Sequence, residues 1–372
     1  MISTPEQFQA NPFWRGFFAG LKPDKVLALD EWADEHRFLS ARAAAEPGRW
    51  RTSRTPYLRE IMRELSSSSL TQEIVFMKGA QIGGSECGLN WLGYIVDHSP
   101  GPTMAIQPTV ELAKRFSKQR IDPLIEESPR LREKVKTSKD KEAGNNMLSK
   151  NFPGGILLIT GANSAVGLRS MPAKYIFLDE TDAYPQNVDD EGNPISLARA
   201  RTRTYKRTRK ILQVSTPTIQ GRSNIESAYE NSDRRRYYVP CPSCGFMQGL
   251  AWKQIKWENS DPSTTKYFCV SCEKEIDERF KTQMLERGEW VKENSDPRAA
   301  HVAGFHLSSL YSPLGWYSWS DAVEDFLKAK GKPDQLRTFV NTVLGEVWAE
   351  KGDAPDWRRL YERRENYKTN VL

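Results

Sequence analysis

No run of eighteen or more apolar residues occurs in this chain, which excludes a hydrophobic membrane-spanning helix. The N-terminus, Met1-Ile2-Ser3-Thr4-Pro5-Glu6, lacks the basic and apolar regions of a secretory signal, so a cytosolic setting is expected. Internal repeats and long low-complexity tracts are missing, and Ser66 to Ser69 is only a short polar turn. Histidine is scarce, and His301 and His306 have no companion carboxylate motif, so structural places are expected for both. Only five cysteines occur, yet four of them form two Cys-x-x-Cys knuckles, Cys241-Pro242-Ser243-Cys244 and Cys269-Val270-Ser271-Cys272. Two such knuckles can close a tetrahedral thiolate site around Zn²⁺, and Gly245 suits the tight turn this requires. The gap between them is wider than usual; free thiols and, in a cytosolic protein, the weaker case of disulfides are the alternatives. Cys87 stands apart and reads as a small buried residue.

What is present suits one large α/β domain with a smaller module: 372 residues, 38% hydrophobic and 27% charged. The net charge of +6 is modest, but the basic residues cluster from Arg199 to Lys210 and again at Arg234-Arg235-Arg236. Such clusters can grip phosphate backbones, and they can also be solvated helix faces.

The most informative stretch is Ile74 to Glu86. An apolar strand feeds the loop Lys78-Gly79-Ala80-Gln81-Ile82-Gly83-Gly84-Ser85-Glu86, and Cys87 to Val96 is apolar enough for a buried helix. Strand, glycine-bearing loop and helix N-terminus make an anion cradle of backbone N–H groups and helix dipole. The usual phosphate loop, or Walker A motif, ends Gly-Lys-Ser/Thr. Here the lysine is missing from that place, and Lys78 at the front of the loop is the candidate to reach the phosphates. A plain strand-turn-helix is the bland alternative.

Lys174 to Leu178 is a second apolar strand, and it delivers Asp179-Glu180 at its C-terminal end, as in a Walker B motif. Ligands of open α/β sheets bind at that edge. Nucleotide hydrolysis needs one carboxylate for Mg²⁺ and another to orient and deprotonate water, roles that fit Asp179 and Glu180; Ser85 adds a metal oxygen. A third β-rich run, Lys210 to Val214, ends in Ser215-Thr216-Pro217-Thr218, either a coupling element that senses the γ-phosphate or a polar turn closed by Pro217. Tyr57 is a candidate to stack on adenine, with a core position as the alternative. Arg169 is the candidate to act in a neighbour's site, with Arg201 and Arg203 as rivals and a surface ion pair as the bland reading.

Together these motifs resemble the large terminase subunit of tailed phages, most closely the lambda-type branch. Asp30-Glu31-Trp32-Ala33, Glu46-Pro47-Gly48-Arg49-Trp50, Gly161-Ala162-Asn163-Ser164 and Gly304-Phe305-His306-Leu307 extend the resemblance over most of the chain. It implies an α/β fold of RecA/ASCE P-loop ATPase type with a mostly parallel sheet, plus a lid subdomain containing a zinc-ribbon-like module. It implies an ATP- and Mg²⁺-dependent motor that pumps double-stranded DNA into a procapsid in the host cytoplasm. The implied partners are the small subunit, the portal ring and further copies of the chain in a ring. Relatives with Gly-Lys-Thr at the loop depart from this chain, as do those with arginine at the place of Gln81 or glutamine at that of Leu58. The other readings are a helicase-like DNA-dependent ATPase, or a zinc-ribbon DNA-binding scaffold with a degenerate nucleotide site.

The expected organisation is a helical lead-in at 1–55, an ATPase core at 56–224, and a lid at 225–372 with the ribbon at 237–276. A nuclease domain, which complete relatives carry in their C-terminal half, is expected to be absent, and no nuclease activity is expected.

Overall fold

A computed structural model describes residues 12–21, 26–42, 44–135 and 145–350. The two tails, on which the expectations about a signal segment and a missing nuclease domain fall, lie outside the described residues.

β-Branched and aromatic runs form the strands of the main sheet: β1 (Glu73–Lys78), β2 (Thr103–Gln107), β3 (Ser149–Phe152), β4 (Gly155–Gly161), β5 (Tyr175–Asp179), β6 (Lys210–Ser215), β7 (Arg235–Pro240), β8 (Met247–Gly249), β9 (Glu289–Lys292) and β10 (Val302–Leu307). Their spatial order is β8-β7-β10-β1-β6-β5-β2-β4-β3, with β9 also on β7. The run from β10 to β4 is parallel, while β3, β8 and β9 pair antiparallel. β2, β5 and β6 are buried throughout, as expected of strands covered on both faces. The sheet is therefore mixed and mostly parallel, as the alternation of strands and helices implied.

Two helices position the loop after β1: α1 (Leu58–Leu65), whose apolar face is buried, and α2 (Gly84–Asp97), buried at every position from Cys87 onward. A Cβ at Gly88 would meet the Phe177 ring at 2.2 Å, so this glycine lets α2 lie directly on β5. The buried Leu58 packs beneath Gly83, which is a steric role and not a base-reading one.

The expected division at 224/225 does not separate two sheets. β10 lies beside β1 in parallel register, Leu307 opposite Lys78, so a strand from the last quarter of the chain completes the core around the phosphate loop. The ribbon region has a sheet of its own, formed by Ile255–Glu258, Asp261–Phe268 and Glu275–Ile276, and a small two-stranded pair joins Phe38–Leu39 to Gly48–Arg49. Aromatic contacts bind the ribbon sheet to the helix Trp319–Ala329: Tyr267 packs at a tilt against Trp319, Trp252 at a tilt against Phe326, and Trp257 edge-on to Phe326.

Candidate nucleotide and metal sites

The carboxyl ends of β1, β6 and β5 bring Lys78, Ser215 and Asp179 to one edge of the sheet. Gly83, in the left-handed region at φ 87°, turns the chain into α2, whose first-turn N–H groups have no intrahelical partner and face that edge. The Ser85 hydroxyl donates to Asp179 Oδ1 at 3.2 Å, and Gln107 Nε2 donates to Asp179 Oδ2 at 3.3 Å. Gln107 was not singled out from sequence; its position at the end of β2, next to β5, is visible only once strand order is known. Burial and the neighbouring Glu180 push the Asp179 carboxyl up to about 6, against the pull of Lys78 and the two hydrogen bonds. A carboxylate with a hydroxyl beside it is a hard-oxygen pair of the kind that suits Mg²⁺, whose own charge would draw the proton off Asp179.

Glu180 has φ 53°, a left-handed conformation rare for a residue with a side chain, and its N–H donates to the Val214 carbonyl at 2.8 Å. Strain of this kind concentrates at functional sites. Lys78 Nζ lies 3.5 Å from Glu180 Oε1. A Cβ at Gly84 would come within 2.7 Å of the Lys78 side chain, so the absence of a side chain there leaves the lysine room to lie across the helix start. Gln81 is exposed at φ 59°, and Ile82 is buried. Glu86 is taken up by Arg37 and Arg120 and so faces away from an anion.

The expected coupling residues follow β6. Ser215 Oγ accepts from the Asp182 N–H at 3.1 Å, and Thr218 Oγ1 donates to Asp182 Oδ2 at 2.7 Å. Asp182 thus ties the turn Ser215-Thr216-Pro217-Thr218 to the residue pair that ends β5, a link no local motif announces.

Other candidates lie elsewhere. Tyr57 is fully buried, its ring edge-on to Tyr237, and offers no face to adenine; the core alternative holds. Arg169 is half-exposed and paired with Glu191 at 2.8 Å. Arg201 and Arg203 precede β6 and stand at the amino edge of the sheet, away from this chain's own loop. Much of the basic clustering is structural: Arg199 and Arg209 pair with Glu73, and Lys210 donates to the carbonyls of Glu64, Ser69 and Thr71. Arg235 is buried among Glu60, Glu64 and Asp233, while Arg234 and Arg236 pair with Glu230 and Glu293.

The four knuckle cysteines converge, with all sulfurs within 4.8 Å of one another. Cys241 and Cys272 are 3.9 Å apart, and Cys244 and Cys269 3.8 Å. A tetrahedron of ~2.3 Å Zn–S bonds has edges of ~3.8 Å, so the cluster fits Zn²⁺, and it is far too open for disulfides. Burial pushes the Cys269 thiol up, but N–H donors from Cys272 and Ser271 prevail and bring it down to about 7.

His306 is buried beside the loop. Arginine can only donate, so His306 Nδ1 accepts from Arg236 Nη1 at 3.3 Å and Nε2–H donates to the Gly345 carbonyl at 2.9 Å. Burial first, and the Arg236 charge second, pull this imidazole down to about 4. Between that value and the ordinary 6.5, the unfolded chain binds a proton that the folded chain refuses. The stability from this group is therefore complete above about 6.5 and is lost as the pH falls towards 4. Asp179, shifted upward, runs the opposite way, so the effect is read against His306→Gln, which keeps one donor and one acceptor. The stability advantage of wild type over that variant should shrink by up to about 3 kcal/mol between pH 7 and pH 4 in denaturant titrations. A difference that stays constant with pH would contradict a neutral buried imidazole.

The model of the phage terminase large subunit gpA ATPase domain matches residues 44–290, and that of the gpA endonuclease domain matches residues 302–372. The terminase large subunit of Escherichia phage lambda is 30% identical over 373 residues, 94% of this chain and 57% of that protein. That of Enterobacteria phage P21 is 29% identical over 376 residues, 93% of this chain and 56% of that protein. The chain thus spans somewhat over half the length of these curated relatives. Among solved structures, the large terminase ATPase domain of Thermus phage P74-26 aligns with a TM-score of 0.41 at 15% identity, covering 75% of this chain and 90% of that one. The endonuclease-domain match removes support for the expected absence of that domain. Its first described residues build β10, so in the fold they belong to the main sheet.

Proposed function

Because the chain belongs to the phage terminase large subunit gpA family, we propose that it is the ATP-hydrolysing motor of a DNA-packaging terminase, built on a RecA/ASCE-type P-loop core. The observation that carries this reading is the convergence of Lys78, Ser85, Asp179 and Glu180 on one sheet edge at the start of α2. The α2 amides and Lys78 bind and neutralise the phosphates of ATP. Ser85 and Asp179 would hold Mg²⁺, which when bound neutralises charge on the transferred phosphoryl group. Glu180 orients water and takes its proton, and Gln107 holds the Asp179 carboxylate in place. Ser215 to Thr218 relays the state of the γ-phosphate through Asp182.

In this reading double-stranded DNA is the substrate moved, in the host cytoplasm. The small subunit, the procapsid portal and further copies in a ring are the partners, and Zn²⁺ braces a ribbon at residues 237–276. The half-exposed Arg169 completes a neighbour's site. Mixing Arg169→Ala protein, whose own site is intact, with Lys78→Ala protein, which supplies Arg169, should restore DNA-stimulated hydrolysis that neither shows alone. Strictly additive rates in the mixture would count against Arg169 acting in trans.

A further inference from the structure

The last described segment touches both loops of the nucleotide site. Val340–Leu344 is a π-helical turn, and Gly345 ends it at φ 64°. Widened turns of this sort leave carbonyls free of the helix and recur at functional sites. The Thr342 carbonyl accepts from the Ala80 N–H at 2.6 Å, and Ser309 Oγ sits between the two strands of contact, 2.9 Å from Ala80 O and 3.2 Å from Thr342 O. A Cβ at Gly345 would lie 2.7 Å from the Gly79 nitrogen, so the segment rests directly on the front of the phosphate loop. The neighbouring residue reaches the opposite loop: Asn341 Nδ2 donates to the Thr218 carbonyl at 2.7 Å and to the Glu346 carbonyl at 2.8 Å. Farther along, the Trp348 N–H also donates to Thr218 O, at 2.8 Å, and the Gln220 N–H returns a bond to Trp348 O at 3.0 Å.

These contacts close a ring around the site. Lys78 pairs with Glu180, Asp182 holds Thr218, Thr218 is bound by Asn341 and Trp348, and Thr342 holds Ala80 beside Lys78. Two consecutive residues, one through its side chain and one through its carbonyl, thus set the distance between the loop that binds the phosphates and the turn that follows β6. Neither Asn341 nor Thr342 lies on the carboxyl edge of the sheet, although each also braces the turn locally, Asn341 on the Glu346 carbonyl and Thr342 Oγ1 on the Thr338 carbonyl.

We propose that Asn341 and Thr342 are positioning residues of a strap, 340–348, that couples the phosphate loop to the Thr218 turn. This deepens, and rests on, the reading of the site as an ATPase. The strap lies within the stretch matched by the endonuclease-domain model.

Hydrogen exchange on the full 372-residue chain, with and without Mg²⁺ and a non-hydrolysable ATP analogue, tests this. Peptides covering 76–86 and 338–350 should both gain protection when the analogue binds. In Asn341→Ala the gain at 338–350 should disappear while that at 76–86 persists, and kcat should fall about tenfold with KM within about twofold. Protection at 76–86 with none at 338–350 in wild type would overturn the strap and leave the ATPase reading standing. No protection at 76–86 would defeat the ATPase reading and the strap together. An Asn341→Ala protein with unchanged kcat and unchanged exchange would overturn the role of Asn341, and the wild-type result stands by itself should that variant not fold.

Discussion

Glu180→Gln is expected to bind ATP about as well as wild type while its hydrolysis rate falls by roughly two to four orders of magnitude, the usual contribution of a positioned general base. The substitution keeps the shape, exchanges one acceptor oxygen for an amide donor, and removes the negative charge that accepts the proton. The carboxylate stands on a left-handed backbone and is 42% exposed, held forward into the site and not packed into the core, so the exchange should be structurally mild. It also removes the negative charge that pairs with Lys78, so nucleotide affinity should hold or rise. Titration with a fluorescent ATP analogue, alongside steady-state hydrolysis, separates the two quantities. Loss of binding together with hydrolysis would assign Glu180 a structural role in the loop.

Removal of zinc is the second change with a large expected effect. Purified protein should carry about one Zn²⁺ per chain by elemental analysis, given the sulfur spacings of 3.8 and 3.9 Å. Metal binding to such thiolate sites is coupled to folding and is worth about 10–16 kcal/mol in small zinc peptides, so the ribbon should not survive its loss. Cys269→Ser or a strong chelator should therefore expose residues 241–276 to protease. The nucleotide site should outlast this: Tyr267, Trp252 and Trp257 anchor the ribbon to the helix Trp319–Ala329, while the phosphate loop is fastened to β10 and to Thr342. Metal-free protein that is fully folded and resists proteolysis between 241 and 276 would show that the four thiols need no ion.

Local chemistry made part of this site legible. The loop from Lys78 to Ser85 and the pair Asp179-Glu180 are short segments that stand out by residue type alone, and the fold brings Ser85 and Asp179 within hydrogen-bond distance. The cysteine knuckles are equally self-announcing, and the burial of α2 follows from its apolar sequence. What stayed hidden depends on contacts between distant residues. β10 looks like any apolar strand, and only the sheet order places it against β1. Gln107 and Asp182 are single polar residues whose partners are 72 and 36 positions away. Tyr57 offers no platform to adenine because its ring is buried, edge-on to Tyr237 far along the chain. Part of each basic cluster is taken up for the same reason: charge counted along the chain takes no account of Glu73, Glu60, Glu64 and Asp233, which the fold brings beside Arg199, Arg209 and Arg235.

The central claim is that a lysine at the front of the loop, and not at its end, completes a working nucleotide site. Steady-state ATP hydrolysis by wild type and Lys78→Ala, with and without double-stranded DNA and alongside a binding titration, tests it most directly. The account predicts Mg²⁺-dependent hydrolysis in wild type, and loss of both binding and hydrolysis in Lys78→Ala. Equal hydrolysis by the two proteins, or a wild type that binds no ATP at all, would contradict it; the second result would leave a DNA-binding scaffold with a degenerate nucleotide site.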